Sequence, residues 1–170
     1  IAAYLIGAIP FGLLFARWLT GRDPRSHGSG NIGATNAMRT GGKKVGALTL
    51  LADILKGTIP VAIAIKLDSE PLLIATVAMA AFIGHIFPVY LKFKGGKGVA
   101  TMFGVVIPWM PWVAVGSFLI WLVVFRLTRY VSLASIIAGV VLPLLAWLQG
   151  ATLEAIALCL LLSVLMIVRH

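Results

Sequence analysis

Two glycine-rich segments hold most of the chemistry this sequence can do. The first reads Gly28-Ser29-Gly30-Asn31-Ile32-Gly33-Ala34-Thr35-Asn36-Ala37-Met38-Arg39. Its glycines open backbone amides to a ligand, Ser29, Asn31, Thr35 and Asn36 supply short polar arms, and Arg39 adds a two-pronged cation. That set suits a phosphate group; a loop that only solvates a helix end has no need of Gly, Asn, Ser and Thr together. The second reads Lys92-Phe93-Lys94-Gly95-Gly96-Lys97-Gly98-Val99-Ala100-Thr101 and runs straight into an apolar stretch. Unpaired N–H groups at a helix start, the positive end of its dipole and the Lys97 ammonium converge there, which makes an anion site. A loop that merely holds topology needs lysines but has no use for Gly95, Gly96 and Gly98. Neither Gly-Lys pair is followed by Ser or Thr, so this is not a Walker A loop and nucleotide hydrolysis is unsupported.

Other polar residues lie inside apolar runs. Asp53 and Lys56 are three apart, on one helix face and deep in a candidate span, where ionisable groups pair or face a cavity. They read either as an ion pair bracing the site or as a direct substrate contact. His85, two turns from the cytoplasmic end of its predicted helix, is a candidate acid or base, or a packing element. Ser132 and Ser135 open a helix and can simply cap it or bond back to it. Glu154 suits a helix N-terminus. Cys159, the single cysteine, reads as packing.

The elements that position these residues are membrane helices. Of 170 residues, 61% are hydrophobic and 11% charged, and the mean hydropathy is +1.06, which excludes an ordinary soluble domain. Apolar stretches predict seven helices, at about Ile1 to Trp18, Val45 to Leu67, Pro71 to Leu91, Gly98 to Trp109, Pro111 to Phe125, Tyr130 to Gln149 and Thr152 to Val168. The fourth, at about 1.5 Å per residue, reaches only about 18 Å and cannot cross alone. The expected fold is one all-α transmembrane domain over residues 1–170. Fourteen basic residues against five acidic ones give a net charge of +9, gathered in the segments that meet water. Partners are therefore anionic small molecules and membrane lipid, with no nucleic acid. Basic residues crowd the first connection (Arg22, Arg25, Arg39, Lys43, Lys44), the third (Lys92, Lys94, Lys97), the fifth (Arg126, Arg129) and the C-terminal end (Arg169), whereas Asp68 and Glu70 mark the second. The positive-inside rule then puts the N-terminus outside and the C-terminus inside.

Three blocks together resemble the signatures of the bacterial acyl-phosphate:glycerol-3-phosphate acyltransferases: GSGNIGATNAMR at 28–39, GHIFPVYLKFKGGKGVAT at 84–101 and RYVSLASI at 129–136, with YLIGAIPFG and LADILKG also in keeping. The resemblance implies a seven-helix protein of the bacterial inner membrane. It implies transfer of an acyl group from acyl phosphate to the 1-hydroxyl of glycerol 3-phosphate, giving lysophosphatidic acid for phospholipid synthesis. Ser29, Arg39 and Lys97 take catalytic roles on this basis. Asn31, Thr35, Asn36, Gly95, Gly96, Gly98, Ser135 and His170 bind substrate, and Asp53, Lys56 and His85 give support. His170 resembles the first residue of a further family block, His-x-x-Asn, whose later residues are expected to help hold substrate.

The residues agree with that chemistry. An acyl phosphate is a mixed anhydride whose phosphate leaves readily, so no covalent intermediate, cofactor or metal is required, and no Ser-His-Asp arrangement is present. Neither His27 nor His85 begins a His-x4-Asp motif. Two other classes stay open at this stage. A small organic-phosphate transporter fits the broken fourth helix but not the absence of a repeat between halves. A two-metal phosphatidyl-group transferase needs clustered Asp residues, and Asp23, Asp53 and Asp68 are scattered.

Overall fold

The computed structural model describes residues 1–170 as nine α-helices and two short 3-10 turns, without a β-strand. In chain order the helices are α1 (Ala2–Gly7), α2 (Phe11–Thr20), α3 (Ala34–Gly41), α4 (Lys43–Lys66), α5 (Pro71–Ile86), α6 (Val99–Val106), α7 (Pro111–Thr128), α8 (Val131–Leu148) and α9 (Leu153–Val168). Proline opens α5 and α7 at a position where a missing N–H costs nothing, and the Thr152 hydroxyl accepts from Ala155 N–H to cap α9. Five stretches are long and apolar enough to cross a membrane: Ala2–Thr20, Lys43–Lys66, Pro71–Leu91, Pro111–Thr128 and Val131–Leu148, with the shorter apolar Leu153–Val168 beside them.

Four sequence expectations need correction. The predicted helix from Ile1 to Trp18 is broken into α1 and α2, because Pro10 has no N–H to continue the ladder. The seven predicted helices leave the first connection without one, yet Ala34–Gly41 folds as α3, with Gly33 as its N-cap. The helix expected from Gly98 to Trp109 shrinks to the eight residues of α6. His85 stands in the last turn of α5, not two turns from its end, because α5 stops at Ile86 before Pro88.

The main core runs between α4, α5, α6, α8 and α9 through Val61, Phe82, Met102, Leu142 and Leu162, all fully buried. Large apolar side chains such as Leu51, Leu72, Trp112, Leu119 and Leu160 remain more than half exposed on the outer faces. Helices apolar on every side bury one face in protein and leave the other for lipid. Between helices, close approach replaces hydrophobic drive. A Cβ on Gly104 would collide with the Ile54 carbonyl, and one on Gly57 would stand 2.8 Å from the Thr101 carbonyl. This small-residue contact seats α6 directly on α4.

That contact also sets depth. Thr101 Oγ1 donates to the Asp53 carbonyl at 3.1 Å, and Thr58 Oγ1 to the Gly104 carbonyl at 2.8 Å. At about 1.5 Å per residue, Asp53 lies about 15 Å along α4 from Lys43, so α6 starts well inside the span. The short helix therefore needs only the remaining thickness, and the glycine loop before it is recessed.

Candidate functional site

The first glycine segment is held by two side chains. Asp23 caps the 3-10 turn Pro24–Ser26 by accepting from Arg25 N–H at 2.9 Å, and pairs with Arg25 and Arg17, each at 2.7 Å. Hydrogen bonding from Arg25, then Arg17, holds the Asp23 carboxyl well below the usual carboxylate range. Asn36 is the internal organiser. Its Nδ2 donates to the carbonyls of Pro24 (2.7 Å), His27 (3.0 Å) and Asn31 (2.8 Å), while Oδ1 accepts from Ser29 N–H (3.0 Å). Gly28 has φ +58°, and a Cβ there would collide with that Oδ1, so residue type and loop path are matched. Asn31 Oδ1 closes an Asx turn on Gly33 N–H at 2.8 Å.

These bonds sort the predicted residues. The donor capacity of Asn36 is spent inside the loop, whereas the Ser29 hydroxyl is exposed and Thr35 is half-buried. Arg39 is exposed and forms no ion pair. Together with Thr20, Arg22 and Thr40 it lines an open cavity of about 470 Å³.

The second segment is built on the end of α5. Gly96 N–H donates to the His85 carbonyl at 3.2 Å, and a Cβ on Gly96 would collide with the imidazole Nε2. Gly98 has φ +88°, a left-handed conformation that turns the chain into α6, and its flank packs on the Phe82 ring. Lys97 between them is half-buried and unpaired. At the other end of the chain His170 is brought beside it. His170 Nδ1 donates to the Met166 carbonyl at 2.9 Å, and burial, reinforced by the Lys97 charge, lowers this imidazole below its ordinary value.

Beneath the loop lies a buried ionic cluster. Lys56 Nζ is 2.8 Å from Asp53 Oδ1, off the hydrogen-bonding direction, and donates to the Ile9 carbonyl at 2.9 Å, beside the break between α1 and α2. His85 Nδ1 stands 3.7 Å from the same Asp53 oxygen. All three side chains are at most 3% exposed. The cluster joins the α1–α2 break, α4 and α5 under Gly96, which fits the bracing alternative for Asp53 and Lys56.

Ser135 is separate from both loops in its bonding. Its Oγ donates to the Val131 carbonyl at 2.8 Å and accepts from Trp121 Nε1 at 3.1 Å. The indole belongs to a row of stacked rings, Phe118, Trp121 and Phe125, which Phe103 of α6 meets edge-on. No three His, Cys, Asp or Glu residues gather with metal-holding spacing. Two residues escaped the sequence reading: Asp23, counted only as a scattered acid, and Arg169, counted only as a topological charge.

The first segment thus presents an exposed hydroxyl (Ser29) and an unpaired guanidinium (Arg39), and the second an unpaired ammonium (Lys97) ahead of the first amides of α6. A profile described as glycerol-3-phosphate acyltransferase matches residues 1–170. Among relatives so named, one from Syntrophotalea carbinolica is 48% identical over 171 residues, covering all of this chain and 87% of its own. Another, from Bartonella quintana, is 47% identical over 174 residues, with 82% of its length covered. Two crystal structures of PlsY (YgiH), an integral membrane glycerol 3-phosphate acyltransferase, superpose on 99% of this chain and 84% of theirs. The glycerol 3-phosphate form gives a TM-score of 0.94 at 45% identity, and the lysophosphatidic acid form 0.91 at 43%.

Proposed function

The chain belongs to the glycerol-3-phosphate acyltransferase family, and on that premise we propose that it moves a fatty acyl group from acyl phosphate to the 1-hydroxyl of glycerol 3-phosphate. The alcohol oxygen attacks the acyl carbonyl, the bond from that carbon to the phosphate oxygen breaks, and inorganic phosphate departs with the alcohol proton. Lysophosphatidic acid remains. Lys97, Gly95, Gly96, Gly98 and the start of α6 hold the phosphate of glycerol 3-phosphate, with His170 beside them. Arg39 grips the second phosphate, and Ser29 donates to the carbonyl oxygen or relays the proton. Asn31 and Thr35 shape the rim, while Asn36, Ser135, Asp53, Lys56 and His85 position others. Because the leaving group is already activated, no cofactor or metal enters.

The observation that carries this reading is the recessed Lys97 loop. It sets a cation and helix-start amides about 15 Å along α4, where the phosphate of glycerol 3-phosphate meets them while the acyl chain of the other substrate stays among apolar helices. The loop charges support seven crossings in a bacterial inner membrane, with the N-terminus outside, the C-terminus inside and the site open to the cytoplasm. Residues 1–170 act as one domain. The test is to incubate purified protein with glycerol 3-phosphate and radiolabelled acyl phosphate, acyl-CoA or acyl carrier protein. Lysophosphatidic acid is expected from acyl phosphate alone, and EDTA is expected to leave the rate unchanged. Equal use of acyl-CoA, or loss of turnover in EDTA, overturns the donor assignment.

A further inference from the structure

Arg169 follows the last residue of α9, yet it reaches the glycine loop from across the molecule. Its Nη2 donates to the Gly95 carbonyl at 3.2 Å, and its guanidinium carbon lies 5.6 Å from the centre of the Phe87 ring. Its Nε is buried without a partner. A charge whose work was topological would be left in water; this one gives up part of its solvation to hold one backbone oxygen and one aromatic face. The opposite side of the loop is equally constrained. A Cβ on Gly95 would collide with the His85 carbonyl, and Gly96 N–H is bonded to that same carbonyl with its flank on the imidazole. Gly95 and Gly96 are thus gripped between the end of α9 and the end of α5.

We infer that Arg169 is a positioning residue for the acceptor site, clamping Gly95 so that Lys97 and the first amides of α6 keep their aim on a phosphate. The clamp needs arginine. Its flat fork can meet a carbonyl while stacking on Phe87, whereas a lysine ammonium gives a point charge with no plane to stack. This inference rests on the proposed binding of glycerol 3-phosphate at the loop.

The experiment measures the dissociation constant for glycerol 3-phosphate alone, by calorimetric titration of detergent-solubilised protein, together with both Michaelis constants. For Arg169→Met the dissociation constant and KM for glycerol 3-phosphate are expected to rise about tenfold, the scale of one lost charge-assisted hydrogen bond, with KM for acyl phosphate and kcat within about twofold. Arg169→Lys should recover less than half of that loss. Full recovery by lysine, an equal rise in both Michaelis constants, or unchanged binding overturns the clamp. Phe87→Leu removes the stacking face without touching the arginine and keeps the test decisive if Arg169→Met does not fold: weaker glycerol 3-phosphate binding supports the clamp and unchanged binding refutes it. Because the titration contains no acyl donor, a wrong donor assignment would show in turnover with wild-type protein and leave this comparison intact.

Discussion

Ser29 and Arg39 share the first connection, one in its loop and the other in α3, but their replacement should fail in different ways. A neutral hydroxyl adds little to holding a dianion, so Ser29→Ala is expected to lower kcat about 10²-fold, the scale for a positioned proton-transfer or oxyanion group, with both Michaelis constants nearly unchanged. Normal turnover with weakened glycerol 3-phosphate binding would move Ser29 to a binding role. Arg39→Lys keeps the charge but loses two parallel donors, and should raise KM for a phosphate substrate about tenfold in steady-state kinetics. His170 carries a pH signature. Its folded-state value is lowered, so between that value and the ordinary 6.5 the unfolded chain binds more protons than the folded one. The stability it contributes is present above pH 6.5 and is lost as pH falls through the folded value. Thermal melts from pH 7.5 down to 5 should show a smaller loss for His170→Gln than for wild type; identical slopes would exclude this titration. At this scale the sequence offers candidates where residue type alone suggests the chemistry, as with Ser29, Arg39 and Lys97. It was silent on Arg169, whose partner is a carbonyl 74 positions away in the chain and has no residue type of its own.

The elements matter through the level at which they start and stop. Gly98 must adopt φ +88° for the chain to enter α6, and a Cβ there would also press on Phe82. Gly98→Ala is therefore expected to raise KM for glycerol 3-phosphate more than that for acyl phosphate, because the distortion falls on the amides proposed to bind the acceptor. An equal rise for both would show that the loop serves both substrates. Under the loop, removing one member of the Asp53–Lys56 pair strands a buried charge. Lys56→Met alone should destabilise the protein by about 3–5 kcal/mol, and Asp53→Asn added to it should return much of that loss. A double variant no better than the single, measured by thermal unfolding in detergent, would mean that the Lys56 bond to Ile9 matters more than the pair. The long apolar runs were legible because length and composition suffice for a span. The break at Pro10 and the helix α3 were harder to read. Proline within an apolar run does not always break a helix, since Pro60 and Pro143 sit inside α4 and α8, and α3 is a short segment of mostly small and polar residues, too brief for its apolar spacing at Ala34, Ala37 and Met38 to stand out.

For the whole molecule the governing quantity is which loops share a side. The Arg169–Gly95 bond joins the C-terminal end to the Lys92–Lys97 connection, two segments that charge counting alone also assigned to one face. Such agreement is not forced, since a hydrogen bond and an insertion bias have different origins. On the proposed reading the basic excess both orients the chain in the membrane and builds the anion site, so one set of residues would serve insertion and binding. The arrangement can be tested in intact cells. Cys159 is fully buried, so replacing it by Ala gives a background without a reactive thiol of its own. Single cysteines placed at Thr35 or Lys94 should resist a membrane-impermeant maleimide until the cells are permeabilised, whereas cysteines at Asp68 or Gln149 should label at once. Labelling at 35 or 94 in sealed cells would put the glycine loops outside and overturn the proposed cytoplasmic site.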